Sequence, residues 1–212
     1  MNWKRQVFKN FKLYAVTDIQ EDGPETLRKV EAAYRGGADI VQMRSKALTD
    51  SALYRLGIRW RKIADRFRKL FFVNDRVDLA LALEADGVHL GQDDLPMEGV
   101  RKIVPRGRLL VGRSTHALDE ALRAEREGVD YIGVRPVFET PTKPAYQPVG
   151  LDLVQQLSRR IRIPFVCIGG IDETNIRPVR EAGGTRVAVV RAIFSAHDVT
   201  QATRKLREAL EK

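Results

Sequence analysis

Three short segments of the chain combine apolar runs with side chains that bind phosphate and metal ions. They cover residues 41–46, 72–76 and 88–94, and each begins apolar and ends in charged or amide residues. An apolar run of this kind predicts a buried strand, and a strand interior could not hold unpaired charges, so the polar residues must lie at the strand ends. Two bases and an amide come from the first segment, and carboxylates come from the other two. Together they are suited to binding a doubly anionic phosphate group and a magnesium ion.

The elements that must position these side chains alternate along the whole chain. Helical patterns such as 24–35 and 118–126 separate short apolar runs rich in β-branched residues. Such alternation favours an α/β fold with a parallel sheet, and eight units close into a TIM (β/α)8 barrel. A doubly wound sheet is the alternative, but it needs a glycine-rich turn after its first strand, and residues 17–20 contain no glycine. We predict strands at residues 12–18, 39–44, 70–75, 87–90, 108–114, 131–137, 164–170 and 186–192.

Length and composition fit one catalytic domain. Of 212 residues, 43% are hydrophobic and 31% are charged, so we expect a single barrel over residues 1–212 with 1–11 as an N-terminal extension. Apolar runs such as 109–111 are far shorter than the roughly 18 residues that cross a bilayer, and the start lacks a secretory pattern. We therefore expect a cytoplasmic protein. The single cysteine, Cys167, lies in an apolar run and is expected to be buried and inert.

The net charge of +9 raises the question of a nucleic-acid partner. Basic residues are densest over 55–69, where apolar residues recur at helical spacing. This pattern is typical of an amphipathic helix with a solvated outer face. No aromatic stacking platform accompanies the charge, so we expect neither a nucleic-acid nor a membrane partner. The excess positive charge is suited to attracting phosphorylated small molecules.

Six motifs occur together in the order and spacing of a known family. They lie at residues 42–46, 74–80, 85–94, 112–116, 140–143 and 168–171. As a set they resemble thiamine-phosphate synthase, from about residue 11 to the carboxyl end. The resemblance implies a transferase that joins 4-amino-2-methyl-5-pyrimidinylmethyl diphosphate to 4-methyl-5-(2-phosphooxyethyl)thiazole and releases diphosphate. In such an enzyme the bond to diphosphate ionises first, and the thiazole nitrogen then attacks the pyrimidine carbocation.

The same resemblance assigns roles to individual side chains. It implies that Asp75 and Asp94 bind Mg²⁺, the expected cofactor. It implies that Gln42 and Ser114 hydrogen-bond the pyrimidine and orient it. The departing diphosphate is expected to be stabilised by three cations and one amide, which are Arg44, Lys46, Lys143 and Asn74. We predict that the catalytic residues are Arg44, Lys46, Lys143 and Ser114.

The thiazole phosphate is expected at the ends of the seventh and eighth strands. Barrels often bind phosphate there, and Gly170, Val190 and Arg191 lie at these ends. Glycine lets the backbone approach a phosphate, and a following helix offers N–H groups. Thr140 and Thr142 fall in the proline-containing loop 138–149, which we predict to be a substrate-binding lid.

Several of these residues also have structural interpretations. Asp75 could cap the helix that begins at Val77, and Ser114 could be an ordinary turn hydroxyl. Arg44 and Lys46 could form ion pairs with acidic neighbours. We interpret the three histidines, His89, His116 and His197, as structural. A role at the site is left open for His116 alone. Departures from the common family pattern occur at Arg135, Glu139 and Arg191.

A sister family, a thiazole tautomerase that isomerises the thiazole carboxylate phosphate, is the alternative function. Its catalytic histidine falls just before Val137, where this chain has Pro136, which cannot transfer a proton. The tautomerase also lacks much of the diphosphate site that is complete here, so we favour the synthase. A barrel that binds a phosphorylated metabolite without turnover is a remote alternative. The sequence carries no prediction of oligomeric state.

Overall fold

Eight parallel strands form a closed barrel in the computed structural model, which describes residues 3–140 and 147–211. Each strand pairs with the next one along the chain, and β8 pairs with β1. The predicted TIM (β/α)8 barrel is therefore confirmed. The strand over residues 87–90 has the predicted bounds, and the other strands are one to four residues shorter than predicted. The strands are β1 Leu13–Val16, β2 Ile40–Met43, β3 Leu70–Asn74, β4 Gly87–Leu90, β5 Leu110–Thr115, β6 Tyr131–Val134, β7 Phe165–Ile168 and β8 Val187–Val189.

Amphipathic helices surround the barrel. Thr49 caps the helix that begins at Asp50, because its hydroxyl accepts from the backbone N–H of Ala52. In the described residues, no helix has both the length and the apolar character that a membrane span requires. The helices are α1 Trp3–Asn10, α2 Pro24–Arg35, α3 Asp50–Phe67, α4 Val77–Ala82, α5 Met97–Ile103, α6 Leu118–Glu127, α7 Gly150–Arg160, α8 Ile176–Glu181, α9 Arg191–Phe194 and α10 Val199–Ala209.

The apolar residues form two cores, one between strands and helices and one inside the barrel. The inner core is aromatic, and the rings of Tyr14 and Tyr131 each pack against those of Phe11 and Phe72. Phe8 of α1 packs against Tyr131, with ring centroids 6.1 Å apart. The N-terminal extension thus closes the amino end of the barrel. Because that end is filled, a substrate can enter only from the carboxyl ends of the strands.

Buried carboxylates hold the amino-end loops in place. Asp86 accepts from the guanidinium of Arg61 at 2.7 Å and from the backbone N–H of Phe71 at 2.8 Å. Lys4 of α1 also pairs with Asp86, at 2.7 Å. Arg61 belongs to the basic segment 55–69, whose face we expected to be solvated, but its side chain turns inward. The ion pair with the buried carboxylate of Asp86 replaces the water that would otherwise solvate the guanidinium of Arg61.

Cys167 is fully buried in β7, as expected. Burial raises the pKa of its thiol to about 12. A thiol in this state carries almost no thiolate at neutral pH, so the structure supports an inert core residue.

Candidate active site

A cavity of about 770 Å³ opens at the carboxyl end of the barrel. This volume is within the range of small-molecule binding sites. Thr142 and Lys143 fall outside the described residues, so their placement stays a prediction. All the other predicted site residues line this one cavity: Gln42, Arg44, Lys46, Asn74, Asp75, Asp94, Ser114, Thr140, Gly170, Val190 and Arg191.

Strand register connects residues of four neighbouring strands in one row. Asn74 on β3 is paired with His89 on β4, His89 with Gly112 on β5, and Gly112 with Tyr131 on β6. Because the strands of a barrel are tilted, this row runs from the last residue of β3 to the first residue of β6, and its side chains form the floor of the cavity. The polar strand-end residues that follow this row form its walls.

One wall is cationic. Arg44 follows β2, and its guanidinium forms an ion pair with Asp18 at the end of β1, while its side chain is only 13% exposed. The backbone N–H of Arg44 donates to the Thr17 hydroxyl at 3.1 Å, which fixes the start of this loop. The structural ion pair considered for Arg44 is therefore present, and the same residue lines the cavity. Lys46 lies further along the same wall.

The neighbouring wall is acidic, because Asp75 and Asp94 follow β3 and β4, the next strands after β2 around the barrel. Asp75 has a φ of +62°, a left-handed conformation, and its N–H donates to the carbonyl of His89 at 2.8 Å. Helix α4 begins at Val77 with Arg76 in the cap position, so the cap interpretation of Asp75 is wrong. One oxygen of Asp94 accepts from the N–H of Gly91 at 2.5 Å.

The cavity contains one cation that was predicted, Arg191, and one to which sequence reasoning assigned no role, Arg135. Arg191 and Arg135 both line the cavity. Nη2 of Arg135 lies 3.9 Å from the place that a Cβ on Gly91 would occupy, and Asp94 Oδ2 lies 3.0 Å from the same place. Arg135 therefore reaches the loop that carries Asp94.

The glycines after β7 adopt conformations open mainly to glycine. Gly169 and Gly170 have φ values of +106° and +64°. A Cβ at Gly170 would approach the carbonyl oxygen of Glu139 to 2.5 Å. The turn is therefore held close under the segment after β6, which carries Thr140 into the cavity. Packing, as well as phosphate access, requires glycine here.

Sequence reasoning missed the polar floor of the cavity. Tyr14, His89 and Tyr131 line it, although His89 was interpreted as structural. In a barrel, alternate residues of each strand face inward, and His89 is flanked by Val88 and Leu90, which face the helices. This alternation was the signal that could have placed His89 inside. His116 also lines the cavity, with its ring Nδ1 3.3 Å from the Glu120 carboxylate.

Comparisons with known proteins agree with this site. The family model described as thiamine monophosphate synthase matches residues 13–193. The chain belongs to the thiamine monophosphate synthase family. A thiamine-phosphate synthase of Shouchella clausii is 42% identical over 206 residues, covering 96% of this chain and 98% of the relative. The solved thiamine phosphate pyrophosphorylase of Pyrococcus furiosus superposes with a TM-score of 0.86 at 40% identity, covering 95% of this chain and 96% of that one.

Some members of the thiamine monophosphate synthase family are longer than this chain. A thiamine-phosphate synthase of Synechococcus sp. is 46% identical over 201 residues, which are 94% of this chain but 57% of that relative. The chain thus corresponds to a little over half of the Synechococcus protein and to nearly all of the Shouchella and Pyrococcus proteins.

Proposed function

We propose that the protein is a thiamine-phosphate synthase that condenses 4-amino-2-methyl-5-pyrimidinylmethyl diphosphate with 4-methyl-5-(2-phosphooxyethyl)thiazole. The observation that carries this proposal is the cavity in which the cations Arg44 and Lys46 and the carboxylates Asp75 and Asp94 follow three neighbouring strands, β2, β3 and β4. Full-length similarity to proteins of that name supports it. The products are thiamine phosphate and diphosphate.

The difficult step is breakage of the bond between the pyrimidine methylene carbon and the diphosphate oxygen. The electron pair of that bond leaves with diphosphate, and the lone pair of the thiazole nitrogen forms the new C–N bond. Charge accumulates on the leaving group, so the protein must supply preorganised positive charge more than acid or base. Arg44 presents a planar fork suited to phosphate oxygens, while Lys46 and Lys143 add point charges. Asn74 donates its amide to the same oxygens.

The oxygen donors on the acidic wall fit a magnesium ion. The described residues contain no cluster of three metal-ligating side chains. Mg²⁺ does not require one, because it is commonly held by one or two carboxylates together with waters and substrate phosphates. Asp75 and Asp94 supply these carboxylates, and Asp94 keeps a second oxygen beside the one that binds Gly91 N–H. When bound, the ion supplies charge that neutralises the departing diphosphate.

Two buried side chains are placed to orient the pyrimidine. Gln42 and Ser114 are 3% and 2% exposed, and both face the floor of the cavity. Held by two hydrogen-bonding groups, the ring presents its methylene carbon in one orientation, which lowers the entropic part of the barrier. Thr140 lines the cavity, and the lid predicted from the sequence, which carries Thr140 and Thr142, would keep water from the cation.

The thiazole phosphate binds at the opposite side of the cavity, between the ends of β7 and β8. Gly170, Val190 and Arg191 line this region. The absence of a side chain at Gly170 leaves backbone N–H groups accessible, and the guanidinium of Arg191 adds charge. Both substrates are polyanions that do not cross membranes unaided, so we place the reaction in the cytoplasm.

The proposal is tested by calorimetric titration of the purified protein with the pyrimidine diphosphate. We expect binding that tightens at least tenfold when magnesium is present, because the ion bridges the carboxylates and the diphosphate. Titration with the thiazole phosphate alone is the control, and its affinity should change less than twofold. Equal binding of the pyrimidine diphosphate with magnesium and with a chelator would contradict the metal assignment.

The tautomerase alternative makes an opposite prediction. Pro136 lines the cavity where that family has its base, and His116 is engaged with Glu120. We therefore expect no isomerisation of the thiazole carboxylate phosphate above the solvent rate. Two results together would favour the tautomerase function. They are isomerisation without magnesium that disappears in His116→Ala, and no thiamine phosphate from the paired substrates.

A further inference from the structure

A chain of hydrogen bonds runs along the cavity floor and joins Gln42 to Ser114. Nε2 of Gln42 lies 2.7 Å from the Tyr14 hydroxyl, which lies 3.2 Å from the Tyr131 hydroxyl. The Tyr131 hydroxyl lies 2.9 Å from Nδ1 of His89, and Nε2 of His89 lies 2.9 Å from the Ser114 hydroxyl. The two residues expected to hold the pyrimidine are thus the two ends of one relay.

Glycines in the neighbouring strands make room for this relay. A Cβ at Gly112 would lie 2.1 Å from the ring of Tyr131, and one at Gly133 would lie 3.0 Å from Cε1 of His89. Gly112 stands between His89 and Tyr131 in the strand register, and its missing side chain lets their rings meet with centroids 5.5 Å apart. Glycine weakens a strand interior, so its presence at both positions indicates a site that needs close approach.

The direction of donation in the relay follows from its first member. Gln42 directs its amide nitrogen at Tyr14, so the Tyr14 oxygen accepts and its own proton goes to Tyr131. The Tyr131 oxygen accepts from the Tyr14 hydroxyl, so Tyr131 donates its own hydroxyl proton to Nδ1 of His89. A neutral imidazole that accepts at Nδ1 carries its proton on Nε2, and that N–H donates to Ser114.

Both phenols are able to donate throughout the ordinary pH range. Burial raises the pKa of Tyr14 and of Tyr131 well above the usual value for tyrosine. Each therefore keeps its proton, and the relay keeps one direction. At the far end, the oxygen of Ser114 has accepted from His89, which leaves the hydroxyl proton of Ser114 to donate into the cavity. At the near end, the amide oxygen of Gln42 remains an acceptor.

We propose that His89 is a positioning residue that fixes Ser114 as a hydrogen-bond donor and Gln42 as an acceptor, and so selects a pyrimidine bearing an amino group beside a ring nitrogen. An aminopyrimidine offers one donor and one acceptor in this pattern, whereas a ring with a carbonyl in place of the amino group presents an acceptor to the Gln42 oxygen. The specificity part of this inference rests on the proposed synthase function.

The tautomer of His89 is measured directly by ¹⁵N NMR of the histidine-labelled protein at about pH 8, where an ordinary imidazole is neutral. The chain has three histidines, and the spectrum of His89→Gln identifies the signals of His89. We expect a pyrrole-like Nε2 and a pyridine-like Nδ1. A pyrrole-like Nδ1, or a mixture of the two forms, would overturn the proposal. This measurement does not depend on activity, so it separates failure of the relay from failure of the proposed function.

A double-mutant cycle tests whether His89 acts through Ser114. In the wild-type background, we expect His89→Leu to raise the KM for the pyrimidine diphosphate about tenfold, because it removes a buried donor. In the Ser114→Ala background, the same substitution should raise this KM by less than about twofold. His89→Gln, whose amide N–H can still reach Ser114, should stay within about threefold of the wild type. The KM for the thiazole phosphate is the control and should not change.

Two kinetic outcomes would overturn the proposal. Equal effects of His89→Leu with and without the Ser114 hydroxyl would mean that His89 acts by packing alone. Equal effects of His89→Leu and His89→Gln would mean that the donor at Nε2 has no role. Thermal melting of each variant identifies those that fold. If His89→Leu does not fold, the NMR measurement on the wild-type protein decides whether the proposal holds.

Discussion

Nη2 of Arg113 donates to the backbone carbonyl of Gln92 over 3.1 Å, which ties the loop after β4 to strand β5. Nη1 of the same guanidinium donates to the carbonyl of Leu95 at 3.2 Å. One buried side chain therefore spans both ends of the short segment that carries Asp93 and Asp94. The position of the acidic wall depends on this contact as well as on the carboxylates themselves.

Arg113→Met should weaken the magnesium site while keeping the volume of the side chain. Loss of two charge-assisted hydrogen bonds lets the loop at Asp94 move, so we expect about a tenfold higher magnesium concentration for half-maximal turnover. Magnesium titration of activity measures this, with Arg113→Lys as the matched control that keeps the charge. An unchanged magnesium requirement in a folded Arg113→Met protein would mean that the loop holds itself in place.

Asp75→Asn and Asp94→Asn should each lower kcat by about a hundredfold or more, because each removes one negative ligand from the point where diphosphate charge develops. Asn can still accept from the N–H of Gly91, so the loop around Asp94 should keep its conformation. Asp93→Asn makes the same change of charge one residue away and should cost less than about fivefold. Wild-type kcat in Asp94→Asn at limiting magnesium would contradict the metal assignment.

The two phosphate groups should respond to different arginines. Arg44→Ala should weaken binding of the pyrimidine diphosphate by about tenfold or more, because it removes a charge-assisted contact on the cationic wall. Arg191→Ala should weaken binding of the thiazole phosphate instead. Separate binding titrations measure each effect. Gly170 is not a clean probe, because a side chain there would strike the carbonyl of Glu139. Equal effects of both arginines on both ligands would argue against two separate phosphate sites.

The strand-end residues could be predicted from sequence because of a general property of parallel barrels. The carboxyl ends of all strands meet at one rim, so side chains such as Arg44, Asp75 and Asp94 converge even though they are far apart in the chain. Their types alone then limit the chemistry to phosphate and a hard cation. No knowledge of side-chain contacts is needed for this step.

The floor of the cavity could not be predicted in the same way. Tyr14, His89 and Tyr131 lie inside strands, where a buried ring has either a structural or a functional role. Their contact depends on the register that places Gly112 between His89 and Tyr131, and register follows from closure of the whole barrel. The role of Arg113 could not be predicted either, because its partners depend on the path of the loop after β4.

Cys167 gives a prediction about pH and reactivity. With a pKa raised to about 12 by burial, roughly one native thiol in ten thousand is ionised at about pH 8, whereas an unfolded chain has the ordinary cysteine pKa. We expect no reaction with a thiolate-specific reagent until the protein unfolds, and labelling at increasing urea should follow the loss of circular dichroism. Rapid labelling of the native protein at about pH 8 would show that β7 opens locally.

The central claim is tested most directly by incubating the purified protein with both substrates and magnesium and measuring the products by mass spectrometry. We expect thiamine phosphate and diphosphate in equal amounts, with no thiamine phosphate when either substrate or magnesium is omitted. The absence of thiamine phosphate in the complete mixture, from protein that is folded by circular dichroism, would contradict assignment of synthase activity to this chain.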